Sequence, residues 1–138
     1  MRFEGIRVVS LPCRRFREGA ALTIPGVGLF VGKGWEKNTD LLRHEFGHIL
    51  QYRKWGIWMF WKHIALDSLQ SARKNISNKH HMSTWTEWSA NRLAYDYFKQ
   101  PADWNLKCFP IQPPPDNNVG KPKFAKNNEE FLKNWMDV

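Results

Sequence analysis

The sequence His44-Glu45-Phe46-Gly47-His48, within LLRHEFGHILQYRK, constrains the fold more than any other part of the chain. If this stretch forms a helix, the two histidines lie one turn apart on one face and can bind the same metal ion. The glutamate lies about 100° further round the helix, beside the metal rather than bound to it, where a general base is needed. This H-E-x-x-H spacing is typical of zinc hydrolases and predicts a zinc-dependent peptidase. The alternative is a surface helix that carries two histidines by coincidence.

The residues on either side of the motif also indicate a helix. Asn38 or Thr39 can cap its first turn, and Gly56 can end it. Apolar residues recur at helical spacing through it: Leu42, Phe46, Ile49 and Leu50. Gly47 costs the helix interior about 1 kcal/mol relative to alanine, a cost that is explained if another backbone comes close at this point. In a later predicted helix, Ala90 and Ala94 are small and would allow that helix to pack closely on this one.

A catalytic zinc ion normally has three protein ligands and one water molecule, so the two histidines leave one protein ligand to find. Glu87 is the preferred candidate because it lies in the predicted helix WTEWSANRLAYDYF, with Asn91 one turn later on the same face. Glu87 would bind the metal while Asn91 forms a hydrogen bond with a histidine ring. Asp67, eighteen intervening residues after His48, is the alternative third ligand, although its side chain is shorter. The remaining candidates are His63, His80 and His81.

The pairing of R-H-E-F-G-H-x-x-Q with W-T-E-x-x-A-N resembles the gluzincin branch of the zincin metallopeptidases. More closely, it is similar to small zincin-like proteins of Bacteroidetes-type bacteria. The similarity covers about residues 24–100; the N-terminal strands match loosely and the tail does not match. The resemblance implies one Zn²⁺ ion bound by His44, His48 and Glu87, with Glu45 as the catalytic base for hydrolysis of a peptide or protein substrate.

The sequence departs from the gluzincin pattern at Asn91, where members of that branch often have an aspartate. Asparagine can still accept a hydrogen bond from a ligand histidine, but it supplies no charge. The resemblance also implies a tyrosine or histidine that stabilises the transition state, for which Tyr95, His80 and His81 are the candidates. In this family an extended substrate commonly pairs with an edge strand, which residues 22–31 would supply here.

The order of predicted elements is strands followed by helices, which favours an α+β fold over a βαβ fold. The strands are expected at residues 6–11 and in two runs within residues 21–32. The helices are expected at residues 38–55, 57–75 and 84–99. We expect a zincin-like arrangement, in which a small antiparallel sheet packs on the active-site helix and on the helix that carries Glu87.

The chain divides into a predicted single catalytic domain at residues 1–104 and a proline-rich strap at residues 105–138 that packs on the same domain. The strap contains FPIQPPPDNNVGKPKF, whose five prolines exclude a regular helix or a central strand. After these prolines, Asn127 or Asn128 would cap a short last helix.

Composition narrows the partners and the location. With 138 residues, of which 42% are hydrophobic, the chain can form one core. The net charge of +8 comes from scattered lysines and arginines without the aromatic-plus-basic pattern of a nucleic-acid module, so no nucleic-acid partner is expected. Cys13 and Cys108 are too few for a disulfide framework, and the N-terminus lacks a secretory signal. We therefore expect a cytoplasmic protein.

The most apolar segment runs from Trp55 to Leu66 and is too short to span a bilayer. In the favoured interpretation it presents a buried helix face made of Trp58, Trp61, Ala65, Leu69 and Ala72. In the alternative, residues 55–66 contact a membrane surface with their tryptophans at headgroup level and Lys62 outward. A non-catalytic, membrane-associated or peptide-binding module that uses this face is therefore the alternative to a peptidase.

Overall fold

The computed structural model of the protein describes residues 1–12, 21–67, 81–115 and 120–137, and of His81 the backbone alone. The strands are β1 (Arg2–Phe3), β2 (Ile6–Leu11), β3 (Ala21–Ile24) and β4 (Gly28–Gly32). The helices are α1 (Thr39–Met59) with a π-helical continuation (Phe60–Ala65), a 3-10 turn (His81–Ser83), α2 (Trp85–Tyr97), and α3 (Asn128–Phe131) with a second π-helical continuation (Leu132–Met136). These elements form an α+β fold, as the sequence predicts.

The four strands form one small mixed sheet in the order β1-β2-β4-β3. The β1/β2 and β3/β4 pairs are antiparallel, but β2 and β4 run parallel, with Val8 opposite Leu29. The expectation of a wholly antiparallel sheet was therefore wrong. The reason is burial: Leu29 and Val31 of β4 are fully buried and suit a central strand, whereas Leu22 of β3 is half exposed and suits an edge. With β3 on one edge of β4, the strand on its other edge is β2, which runs parallel to β4.

Helix α1 begins and breaks where the sequence indicates. The side chain of Asn38 caps it by accepting a hydrogen bond from the backbone N–H of Leu41 at 3.0 Å. Gly56 interrupts the helical backbone with φ 87° and ψ 172°, a conformation essentially restricted to glycine. The helical residues after this kink therefore take a new direction. Of the helix expected at residues 57–75, the part from 68 onward lies outside the described residues.

Two hydrophobic clusters hold the elements together. The first joins the sheet to the first half of α1 and contains Val8, Leu29, Val31, Leu41, Leu42, Phe46 and Ile49. The second joins the segment after Gly56 to α2 and the C-terminal helix, and contains Phe60, Ile64, Trp85, Trp88, Ala125, Phe131 and Met136. Each fully buried large apolar side chain in these clusters contributes about 1.5–3 kcal/mol to folding. The two clusters together fix α1 against α2.

The segment after Gly56 buries a different face from the one expected. Phe60 and Ile64 are buried at 3% and 1% exposure, whereas Trp58 is 82% exposed and Trp61 is 45% exposed. The prediction that the tryptophans form a buried face was therefore wrong for these two residues. Large apolar side chains occupy both faces of this segment, so its sequence does not show which face meets the core. Within the described residues, no helix is both long enough and apolar enough to cross a membrane.

The proline-rich strap is attached to the body through hydrogen bonds made by indole and amide groups. The indole N–H of Trp104 donates to the carbonyl of Phe109 at 2.9 Å, and that of Trp88 donates to the carbonyl of Gly120 at 2.7 Å. Asn127 caps α3, as predicted, by accepting from the backbone N–H of Glu130 at 2.7 Å. Before α3, the described residues 105–115 and 120–127 of the strap contain no helix or strand.

Candidate metal centre

His44 and His48 of α1 meet Glu87 of α2 in a buried cluster, as the sequence predicts. The Nε2 atoms of His44 and His48 lie 3.0 and 3.2 Å from Oε2 of Glu87. One potential ligand atom from each of the three residues lies within 4.8 Å of the other two. Tetrahedral zinc with bonds of 2.0–2.1 Å places its ligand atoms roughly 3.3 Å apart. The spacing and the donor types therefore fit a zinc ion.

The two helices can bring these ligands together because they touch at Gly47. A Cβ atom at Gly47 would lie only 2.2 Å from the backbone carbonyl oxygen of Ala90 and 2.6 Å from its carbonyl carbon. Only a residue without a side chain allows this separation of α1 and α2. The close backbone approach inferred from the cost of a mid-helix glycine is thus confirmed, and it occurs between the helices that carry the ligands.

The ring of His44 is oriented by Asn91, as predicted. Nδ1 of His44 lies 2.6 Å from Oδ1 of Asn91, and Nδ2 of Asn91 donates to the carbonyl of Pro110 at 3.0 Å. That second hydrogen bond fixes the amide so that its oxygen faces the ring, and this oxygen can only accept. His44 therefore carries a proton on Nδ1, which leaves Nε2 for a metal. The ring of Phe109, 5.5 Å away, packs beside the His44 ring.

The ring of His48 is oriented in the same way by Gln51, a role that the sequence analysis missed. Nδ1 of His48 lies 2.8 Å from Oε1 of Gln51, which is fully buried. Nε2 of Gln51 donates at 2.7 Å to both the carbonyl of Thr86 and the hydroxyl of Ser89, so its oxygen must face the ring. The signal that could have revealed this role is a glutamine three residues after His48, where it can reach back to that ring.

Without a metal ion, the cluster holds opposite charges. Burial lowers the pKa of His48, but the charge and hydrogen bond of Glu87, with smaller effects from Glu45 and Gln51, raise that pKa to about 9. Burial raises the pKa of Glu87, but the charge of His48 and the hydrogen bonds of His44 and His48 outweigh it and hold the pKa of Glu87 well below its usual value. A bound cation would take over the role of the histidine proton, so metal and proton compete for this site.

Glu45 is held beside the cluster by a residue of the sheet. Its Oε1 lies 3.8 Å from Nε2 of His44, and its Oε2 lies 2.5 Å from the hydroxyl of Thr23. The same hydroxyl lies 3.0 Å from the backbone carbonyl of Glu45, so Thr23 donates to Glu45 in either geometry. This contact crosses from edge strand β3 to α1, and only the packing of sheet on helix reveals it. Thr23 fixes one carboxylate oxygen and leaves the other facing the ligand atoms.

The other candidates lie elsewhere or outside the described residues. Asp67 accepts a hydrogen bond from the indole of Trp85 at 2.9 Å and is not part of the ligand group. The ring of His63 packs on Phe124 at 5.8 Å, and that of Tyr95 packs on Trp104 at 5.6 Å. His80 and the side chain of His81 lie outside the described residues, so a role in stabilising a transition state stays a prediction for both.

Comparison of the chain with known protein families, curated protein sequences and solved structures returned no match. The interpretation of the site therefore depends on its own geometry.

Proposed function

We propose that this protein is a zinc-dependent hydrolase that cleaves peptide bonds. The observation that carries the proposal is the placement of Glu45: a carboxylate that is not in the ligand group lies within 4 Å of a ligand nitrogen and is fixed there by Thr23. A site that holds zinc only for stability is normally closed by four protein ligands. It gains nothing from an oriented carboxylate beside the ligands, whereas a hydrolase needs one as a base.

The residues of the site divide the chemical work between them. His44, His48 and Glu87 would hold the ion, and their orientation is fixed before it binds. Zinc bound in such a site supplies a water molecule of lowered pKa and polarises the carbonyl that is attacked. Oε1 of Glu45 takes the proton from the attacking water and returns it to the nitrogen that leaves. Thr23 keeps Glu45 in the orientation that both transfers require.

Edge strand β3 supports a peptide as the substrate class. Among the described strands, β3 pairs only with β4, so its other edge has no strand partner there. Thr23 lies on this strand and contacts Glu45, which places the edge next to the proposed base. An extended peptide that pairs with β3 would gain main-chain hydrogen bonds and pass close to the metal site. The strand within residues 22–31 that can serve in this way is thus β3, since β4 is central.

The metal can be tested before any substrate is known. Purified protein reconstituted with zinc should contain one ion per chain, and Glu87→Ala should lose it because two histidines alone leave the site incomplete. Asp67→Ala is the matched control, because Asp67 is the other acidic candidate and contacts Trp85 instead. Zinc retained by Glu87→Ala and lost by Asp67→Ala would overturn the ligand assignment.

The reaction can be tested with casein and a mixed library of synthetic peptides, with products read by mass spectrometry. Glu45→Gln should keep its fold and its zinc but lose at least about 100-fold in the rate of any cleavage that the wild type performs, the usual contribution of a general base. Equal cleavage by the wild type and Glu45→Gln would falsify the mechanism. A fully zinc-loaded wild type that cleaves neither casein nor any library peptide would favour a non-catalytic binding module.

A further inference from the structure

An exposed apolar surface lies on the helical residues that follow Gly56. We call it the tryptophan patch; it consists of Ile57, Trp58, Trp61 and Leu66, with exposed fractions of 54%, 82%, 45% and 51%. Trp58 and Trp61 are three residues apart, so their side chains lie on the same side of the helix. Tryptophan is on average a highly buried residue, and an indole that is 82% exposed is therefore unusual.

The tryptophan patch is not what attaches this segment to the protein. Phe60 and Ile64, on the opposite side, are almost fully buried in the second hydrophobic cluster. The kink at Gly56 turns this segment away from the direction of the helix that carries the metal ligands. The segment thus has one face that packs in the core and a second apolar face that is open to solvent. Large exposed apolar surfaces usually mark a place where something binds.

The protein as a whole is basic, with a net charge of +8. Among the described residues 55–67, which carry the patch, the charged side chains other than histidine are Lys62 and Asp67. A carboxylate oxygen of Asp67 accepts a hydrogen bond from the indole of Trp85. Lys62 lies between the two patch tryptophans and Leu66 in the sequence and is exposed. A surface that combines exposed indoles with an exposed lysine, on a protein of net positive charge, is complementary to a bilayer whose interior is apolar and whose surface is negative.

We infer that the tryptophan patch docks on the surface of an anionic phospholipid bilayer. Indole rings favour the boundary between headgroups and acyl chains, where their apolar body is buried and their N–H stays near water. Lysine near an anionic surface adds about 1 kcal/mol of attraction, and Lys62 is placed to supply it. The segment would lie flat on the membrane with Trp58 and Trp61 inserted and Phe60 and Ile64 still packed in the protein.

The test is co-sedimentation of the full chain with vesicles of phosphatidylglycerol and phosphatidylcholine, compared with vesicles of phosphatidylcholine alone. The wild type should bind the anionic vesicles and bind less as salt is raised. Trp58→Ser should reduce the partition coefficient at least about tenfold. The wild-type indole would bury half or more of its apolar area in the bilayer, and serine has no such area to bury. Lys62→Gln should reduce it about fivefold. Leu106→Ser is the control, because Leu106 is 56% exposed outside the patch.

Three results would overturn the inference. The first is no binding of the wild type to anionic vesicles at low salt. The second is equal binding by the wild type and Trp58→Ser, with both shown to be folded by circular dichroism. The third is a wild type that does not bind vesicles and is a dimer in analytical ultracentrifugation, while Trp58→Ser is a monomer. That result would make the patch an interface between copies of this chain. Glu45→Gln should bind vesicles like the wild type, so this inference and the proposed hydrolysis can fail separately.

Discussion

Replacing Gly47 by alanine should destabilise the protein, although the helix propensities of the two residues predict the opposite. In a helix that touches nothing, this substitution would stabilise by about 1 kcal/mol. Here the new Cβ would lie 2.2 Å from the carbonyl oxygen of Ala90, where ordinary contact begins at 3.4 Å. The two helices must therefore separate by about 1 Å. Overpacking of this kind costs about 1–3 kcal/mol. The cost lies toward the upper end here, because the new Cβ is fixed to one helix and the carbonyl oxygen belongs to the backbone of the other. We expect a net loss of about 2 kcal/mol.

This loss is measured by urea denaturation of metal-free Gly47→Ala and of the metal-free wild type, with circular dichroism as the signal. The same displacement separates Glu87 from the two histidines, and zinc sites tolerate only about 0.2 Å in bond length, so zinc affinity should fall at least about tenfold. Ala90→Gly added to Gly47→Ala should not restore either property, since the atoms in conflict belong to the backbone of Ala90. A variant as stable as the wild type, with unchanged zinc affinity, would refute the close approach of the helices.

Three further predictions concern the site and the kink. Gln51→Leu and Asn91→Leu should each weaken zinc binding by about 10–100-fold, measured by competition with a chromophoric chelator, because they remove the groups that orient the histidines; unchanged affinity in both would show that the amides have no such role. Gly56→Ala should lower the free energy of unfolding by about 1–3 kcal/mol in urea denaturation, because its φ of 87° is strained for alanine; a neutral effect would contradict the kink. In the folded protein the pKa of His48 is raised from 6.5 to about 9, so protonated His48 stabilises the fold fully below pH 6.5. Metal-free protein should therefore lose this stability as pH rises from 6.5 through about 9. The loss should vanish in Glu87→Gln, and a pH-independent wild type would contradict the charge pair.

The ligand cluster could be predicted because helical periodicity fixes which side chains share a face. His44 and His48 follow from one helix, and Glu87 with Asn91 from another, without knowledge of how the helices pack. Thr23 could not be predicted in the same way. It is a threonine in a short strand, and its contact with Glu45 depends on the position of the sheet relative to α1. Such a contact leaves no local pattern in the sequence.

The limits of the fold prediction have the same cause. The positions of β2, β3 and β4 follow from local composition, but their order in the sheet depends on which strand is buried on both faces. The exposure of Trp58 and Trp61 could not be predicted either, because a segment with large apolar residues on both faces does not show which face meets the core. Local patterns predicted β2, β3, β4, α1 and α2, whereas β1 and the neighbours of each element required the three-dimensional structure.

The hydrogen bond from Asn91 to the carbonyl of Pro110 has a consequence for biosynthesis. By the time α2 has left the ribosome, all three side chains that would bind the ion are present. After the end of α2 at Tyr97, thirteen more residues must emerge before the chain contains Phe109, whose ring lies against His44, and Pro110, whose carbonyl locks the Asn91 amide. A chain cut by a protease just before Phe109 would return to that immature state, with every ligand present and one imidazole unsupported.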